Sequence, residues 1–504
     1  MASLLRRGAV GACAAVVAAV VTAVVMHGST LDASTIQAAP RAVPVVEWQH
    51  MKDSATVSGE LPLTPVLVRN SPMQEWWASS AGRVWDVASV AELAETTDAG
   101  DYNVTLQHQD HSTLFIPHKG LQTNGVTEPQ YTTSVKRLRE ATVALWRRRP
   151  DRTNVYLSAN VEDLPPAIAS SVFDFLPQGC VRDELWVGGS AGLWEEADQN
   201  ATCRGLRANL WLGSAATAAA MHFDLSHNLF FLSSGRKRFR LLPPSSHRAI
   251  RLHPSWHGSH LAAQAHPTDA QFIELGGYQV TLNAGDVLYL PPAWLHHVES
   301  VSHNVGLNIW TDSVASDAWR FLTDTERWAV LSHDARSCRD GGMESLFRCA
   351  CAYLMGLHAE LDRALGFGGV STTTTGASSL VEHAGELLNA RYDSPWQEDI
   401  ASFQKEAARR ARSKVARACD IMRGGEGLVL DELFKAWQTS KTAELARTLL
   451  MFDDGTRTLM LDEVLDAFSK QVVDQALHLD VIGVVPASAA AAAVEVFIRH
   501  CLVR

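Results

Sequence analysis

The chain is poor in cysteine. Eight cysteines in 504 residues are too few for a disulfide scaffold. It also lacks any excess of positive charge: 44 Lys and Arg stand against 55 Asp and Glu, a net charge of −11. A basic nucleic-acid footprint is therefore absent, and no nucleic-acid partner is expected. Disorder, collagen and coiled coil are excluded as descriptions of the whole, because 46% of the residues are apolar and only 20% charged. What is present is material for more than one packed domain, since a domain usually takes about 100–200 residues. Fifteen tryptophans add large packing or binding surfaces.

Near the N-terminus, Arg6 and Arg7 precede a run from Gly8 to Met26 without a charged residue, mostly Ala, Val and Gly. Nineteen such residues are just long enough to span a bilayer as a helix, and the basic pair favours a cytoplasmic N-terminus. The sequence therefore predicts a transmembrane signal-anchor or a cleaved signal peptide over residues 1–27, a linker over 28–43, and a chain whose bulk is non-cytoplasmic. Two sequons, Asn103-Val-Thr105 and Asn200-Ala-Thr202, and the pair Cys180 and Cys203 fit a secretory route without demanding one.

From Pro44 to about residue 315, short runs rich in β-branched and aromatic residues alternate with Gly, Pro, Asn and Ser. Thr64–Arg69, Asn209–Leu212, Phe239–Leu242, Asp286–Leu290 and Val305–Trp310 read as strands. Helical stretches are expected around Ser134–Arg148 and Pro165–Leu176. The fold expected is a mainly β core with flanking helices. Residues 316–504 instead carry helical periodicity, in Ala318–His333, Glu344–Leu365, Val381–Asn389 and Glu398–Met422. Within about 420–470, Leu428-Val-Leu-Asp-Glu432 recurs as Leu459-Met-Leu-Asp-Glu463, a period of 31. Upstream of each copy the carboxylates are too few or wrongly spaced for calcium, so the repeat reads as a degenerate EF-hand-like pair.

The residues that promise chemistry lie in the β region. His222-Phe-Asp224 places an imidazole and a carboxylate at i and i+2, on one face of a strand. A further histidine, His296, follows 74 residues later in Gly285-Asp-Val-Leu-Tyr-Leu-Pro-Pro-Ala-Trp-Leu-His296. Two imidazoles and one carboxylate are the facial ligand set of non-haem Fe(II) oxygenases, which leaves coordination positions open. His297 alternates to the other face of the strand. The histidines of the following loop, His247, His253, His257, His260 and His266, read as a solvated loop.

At these motifs the chain resembles the JmjC/cupin-like Fe(II)- and 2-oxoglutarate-dependent oxygenases, most closely the subgroup of the factor-inhibiting-HIF-type protein hydroxylases. The resemblance runs from roughly Thr64 to Trp310. It rests on His222-Phe-Asp224-Leu-Ser-His-Asn228, Gly235-Arg-Lys237-Arg-Phe-Arg-Leu-Leu-Pro-Pro244, the segment Gly285–Ser300, Asn308-Ile-Trp310 and Tyr156-Leu-Ser. It implies a double-stranded β-helix, or jelly roll, for the domain over 44–315. It implies that His222, Asp224 and His296 are the catalytic metal ligands. Lys237 and Tyr156 fall where the family holds the far carboxylate of 2-oxoglutarate, and Asn228 and Asn308 fall near the cosubstrate. The cofactors implied are Fe(II) and 2-oxoglutarate, the partner a protein or peptide substrate, and the reaction hydroxylation of a protein side chain. A homodimer through C-terminal helices is a further implication.

One position departs from the pattern. The subgroup carries Ser or Thr three residues before the first histidine, and this chain has Ala219. A hydrogen bond to the cosubstrate, worth roughly 1 kcal/mol or somewhat more, is missing there. Two alternatives stay open: a non-catalytic cupin-like scaffold with a helical docking region, and a JmjC-type lysine demethylase.

Overall fold

The computed structural model describes residues 39–51, 62–78, 87–96, 103–109, 114–115, 131–140, 154–161, 207–253, 260–311, 313–323 and 449–463, with single residues 53, 164 and 466. In chain order its strands are β1 (Arg41–Ala42), β2 (Val45–Glu47), β3 (Val66–Arg69), β4 (Asn103–Gln109), β5 (Leu114–Phe115), β6 (Tyr131–Arg137), β7 (Asn154–Asn160) and β8 (Arg207–Gly213). They continue with β9 (Ala218–Phe223), β10 (His227–Ser234), β11 (Arg236–Leu242), β12 (Tyr278–Asn283), β13 (Val287–Leu290), β14 (Leu295–Ser300) and β15 (Asn304–Thr311).

Two mixed sheets result. One has the order β1-β12-β11-β14-β9-β5 and the other β2-β3-β13-β10-β15-β8-β7-β4-β6. The interleaved order, with sequence-distant strands side by side, is that of a jelly roll. The sheets share a core. Phe230, Leu232, Leu288 and Leu290 of the larger sheet pack in one cluster with Phe239, Leu241 and Leu282 of the smaller. Strand alternation dictates this: on β11 Lys237, Phe239 and Leu241 are buried while Arg238 and Arg240 are only partly so. The β10–β11 turn is made by Gly235, at φ +80, where any Cβ would fall 2.0 Å from the His303 carbonyl oxygen.

The five strands read from sequence are found as β3, β8, β11, β13 and β15. The helix expected from Ser134 is not: Ser134 to Arg137 complete β6, paired along its length with β4. Helical hydrogen bonding begins only at residue 138, because the cross-strand partners of the Thr- and Val-bearing segment outweigh its helical pattern. The Asn103 sequon lies in β4. Helix Val314–Thr323 opens the region expected to be helical. The apolar run 8–26, the Cys180 and Cys203 pair, the second sequon, helix 165–176, the first repeat copy and the segments expected to carry a dimer lie outside the described residues.

The expected membrane or lumenal address is corrected. Among the described residues no helix is long and apolar enough to cross a membrane. The physical reason is that hydropathy records a lack of charge, not a helix.

Candidate metal centre

β9 and β14 pair with His222 directly opposite His296. Directly opposite residues point to the same face, so the two imidazoles converge, with ring centroids 4.1 Å apart. Just before His222 the register slips, and Ala220 and Met221 together oppose His297. Such a bulge re-aims the side chain that follows it. Asp224 leaves the end of β9. Its carbonyl accepts from the Ala293 N–H at 2.7 Å, which ties it to the Pro-Pro-Ala turn that launches β14. Its carboxylate Oδ2 stands 3.7 Å from His296 Nε2. The three ligand atoms of His222, Asp224 and His296 lie within 4.8 Å of one another.

The hydrogen bonds of the two imidazoles suit a metal. His222 Nδ1–H donates to the Ala220 carbonyl at 2.7 Å and His296 Nδ1–H to the Trp294 carbonyl at 3.0 Å. Both rings therefore keep the bare Nε2 lone pair for the shared space. Burial, and then the neighbouring His296, hold the His222 pKa down at about 4, so the ring offers a lone pair at neutral pH. Trp310 Nε1–H donates to Asp224 Oδ2 at 3.2 Å, which orients the carboxylate. The donor set, two nitrogens and one oxygen on adjacent strands, fits Fe(II).

Deeper along the same face, Lys237 is opposite Ser300 on β14 and is only 1% exposed. Its Nζ lies 3.5 Å from the Tyr156 hydroxyl and over the rings of Tyr156 and Phe230, at 5.2 and 5.3 Å. Burial lowers the Lys237 pKa to about 7 and raises that of Tyr156. Ser300 lies four positions beyond His296 on β14, roughly 13 Å of strand. Metal ligands and ammonium thus sit at two ends of one stretch of interior. From the facing sheet, Asn308 Nδ2–H donates to Asn228 Oδ1 at 3.4 Å, and Asn308 Oδ1 accepts from Trp211 Nε1–H at 2.5 Å. Of the seven residues singled out from the sequence, six lie on strands of the two sheets and Asp224 lies just past the end of β9.

Two features escaped the sequence. Trp310 appears there only as the end of a motif, yet it orients Asp224. Ser300 and Thr217 share a hydroxyl contact of 2.9 Å, beside Gly213, where a Cβ would crowd both. Counting by twos from His296 along β14 reaches Ser300, and that was the available signal. His297 points to the opposite face, as expected, against His266 with centroids 3.9 Å apart. Burial and the charge of His266 press its pKa to about 2.

The sequence matches the family described as "Cupin-like domain" over residues 61–317, more than half of the chain. The chain belongs to the cupin-like domain family. Within it, the chain is 33% identical over 113 residues to lysine-specific demethylase JMJ31 of Arabidopsis thaliana, covering 21% of each chain. It is 34% identical over 105 residues to Jumonji C domain-containing protein 5 of Drosophila melanogaster, 20% of this chain and 26% of that one. It is 28% identical over 129 residues to the human bifunctional peptidase and (3S)-lysyl hydroxylase JMJD7, 21% of this chain and 41% of that one. The chain thus spans about a fifth to two-fifths of these relatives. They bear out the JmjC/cupin-like resemblance at family level. JmjC enzymes are oxygenases that use Fe(II) and 2-oxoglutarate, and His222, Asp224 and His296 are the candidate ligands for that iron.

Proposed function

We propose that this chain is an Fe(II)- and 2-oxoglutarate-dependent dioxygenase that hydroxylates a protein side chain. The observation that carries the reading is the pairing, inside one β-sandwich, of a two-His, one-Asp cluster with a buried lysine–tyrosine pair. A buried ammonium is costly, and a dicarboxylate that neutralises it is a reason to keep it there.

His222, Asp224 and His296 would hold the metal, with Trp310 orienting the carboxylate. Iron(II) bound there supplies oxygen activation, for which 2-oxoglutarate provides the matching electrons. Lys237 would bind the far carboxylate as a compact charge with three donors, and Tyr156 would donate a further hydrogen bond. Asn228 and Asn308, tied to each other and to Trp211, would present amide groups to the ligand between these ends. The surrounding apolar core would exclude water.

The name of the human relative, a lysyl hydroxylase, supports hydroxylation. The name of the Arabidopsis relative, a lysine-specific demethylase, supports a second reading, oxidation of a methyl group on lysine. The test is conversion of 2-oxoglutarate to succinate by the full chain with Fe(II) and ascorbate, beside His222→Ala. Turnover lost in the variant is the expected result, and equal turnover in both would refute the assignment. Peptide mass spectrometry then separates the readings. Hydroxylation adds an oxygen, whereas demethylation removes a methyl group and releases formaldehyde.

A further inference from the structure

Of the histidines read as a solvated loop, His247 and His260 are held by carboxylates from far along the chain. His247 is buried, and its Nε2 lies 2.7 Å from Asp462 Oδ2. Arg248 donates to both oxygens of the same carboxylate, from Nε at 2.8 Å and from Nη2 at 3.1 Å. Asp462 lies in a helical segment, residues 454–463, whose last five residues are the second copy of the repeat. Asp453, read from sequence as part of a poor calcium loop, caps this helix: its carboxylate accepts from the Thr456 N–H at 3.0 Å and from the Thr456 hydroxyl at 2.7 Å. Gly455 sits so close to the loop that a Cβ there would stand 2.7 Å from the Ser245 nitrogen. Segment and loop are fitted to each other before any ion is considered.

At the far end of this contact is a second cluster. His260, Glu463 and Asp466 each present a ligand atom within 4.8 Å of the others. His260 Nε2 is 2.9 Å from Glu463 Oε2, close to the roughly 3 Å that separates neighbouring ligands on an ion with bonds of about 2.1 Å. Glu463 and Asp466 are three apart on one helical face, and both are 0% exposed. The set offers one imidazole nitrogen and two carboxylates close together. One nitrogen and two carboxylate oxygens select a borderline ion such as zinc(II). Calcium, which takes oxygen ligands, does not suit the imidazole.

We propose that His260, Glu463 and Asp466 form a second divalent-metal site, of the zinc(II) class, that clamps the C-terminal segment to the loop beside the first cluster. The clamp lies close in sequence to the first centre. Ala262 bridges to His222 itself. The Phe223 N–H donates to the Leu261 carbonyl at 3.3 Å, and the Ala263 N–H to the Met221 carbonyl at 2.7 Å. An ion on His260 therefore steadies the strand that carries His222.

The test uses the full chain with His222→Ala and Asp224→Ala, so that the first cluster takes no metal. The chain is stripped with a chelator and dialysed against zinc(II), and bound metal is counted by plasma mass spectrometry. A single zinc per chain is expected, with a rise in melting temperature on loading. Adding Glu463→Gln and Asp466→Asn, or separately His260→Ala, is expected to weaken that binding by at least about 10–100-fold, the loss seen even for residues that only orient a ligand. His260, at 22% exposure, tolerates replacement better than the buried acids and serves as the control for misfolding. No zinc in the chain lacking the first cluster would overturn the proposal, showing an ion pair only. So would zinc retained by the His260→Ala chain.

Discussion

Lys237→Met isolates what the buried ammonium does. Methionine keeps the length and volume of the side chain and removes its charge. In the folded chain burial holds the Lys237 pKa at about 7, against the ordinary 10.5. This is a base with a depressed folded pKa, so the native state disfavours the proton that the unfolded chain carries. The resulting destabilisation is nearly complete at pH 7 and below, shrinks as pH rises, and vanishes above the unfolded pKa. At 1.36 kcal/mol per pKa unit, linkage gives about 4 kcal/mol at pH 7 and about 2 kcal/mol at pH 9. The rings of Tyr156 and Phe230 beneath Nζ return part of this through cation–π attraction, up to about 2 kcal/mol where the charge is desolvated. Lys237→Met is therefore expected to stabilise the metal-free chain by roughly 2–4 kcal/mol at pH 7 and by less at pH 9, while abolishing 2-oxoglutarate binding. Urea unfolding of both chains at the two pH values, with calorimetric titration of 2-oxoglutarate, measures both effects. A variant that is destabilised, or whose gain does not change with pH, would refute the electrostatic reasoning. One that still binds 2-oxoglutarate would refute the assignment.

Three further outcomes follow from the same geometry. Trp310→Phe removes the donor to Asp224 Oδ2 and is expected to lower iron affinity by about 10–100-fold with the fold intact; unchanged iron content after dialysis at limiting metal would contradict the orienting role. Ser300→Ala removes the hydroxyl opposite Lys237 and is expected to weaken 2-oxoglutarate binding about tenfold, the worth of a hydrogen bond to a charged group, which equilibrium titration reads directly. Asp462→Ala breaks contacts to His247 and Arg248. Breaking a buried pair costs about 3–5 kcal/mol, but the Arg248 side chain is 41% exposed and regains water, so a loss of roughly 2 kcal/mol is expected in thermal or urea unfolding.

Much of the β domain was legible because its strands advertise themselves. Val66–Arg69, Val287–Leu290 and Asn304–Thr311 are apolar runs bounded by turn residues, and the period-two rule assigns their faces. The ligand motif was legible for the same reason: an i, i+2 pair on a strand has only one way to converge. Ser134–Arg137 was misread because what makes it a strand is a partner, β4, 28 to 34 residues earlier in its paired register, and no local pattern reports that. The histidine loop was misread likewise. His247 and His260 are partnered by Asp462 and Glu463, more than 200 residues on, and short-range composition carries no trace of such a contact.

Ala219 shows where a motif and a structure answer different questions. Read as a pattern, its missing hydroxyl leaves the cosubstrate short of a donor. In the fold Ala219 faces Val298 on β14, while two residues farther along that strand Ser300 faces Lys237. Thr217, two residues before Ala219, has its hydroxyl 2.9 Å from Ser300 Oγ and 2.9 Å from the Ser214 carbonyl. A hydroxyl has one proton to give. The Ser214 carbonyl can only accept, so that proton is shared between it and Ser300, and Ser300 stands beside Thr217 opposite Lys237. Gly213 is required beside this pair, since a Cβ there would lie 2.8 Å from Ser300 Oγ. Ser300 on β14, in contact with Thr217 two places upstream of Ala219, would supply the hydroxyl that β9 lacks there. The number of hydroxyls near the buried ammonium is a property of the register between strands rather than of either strand's sequence.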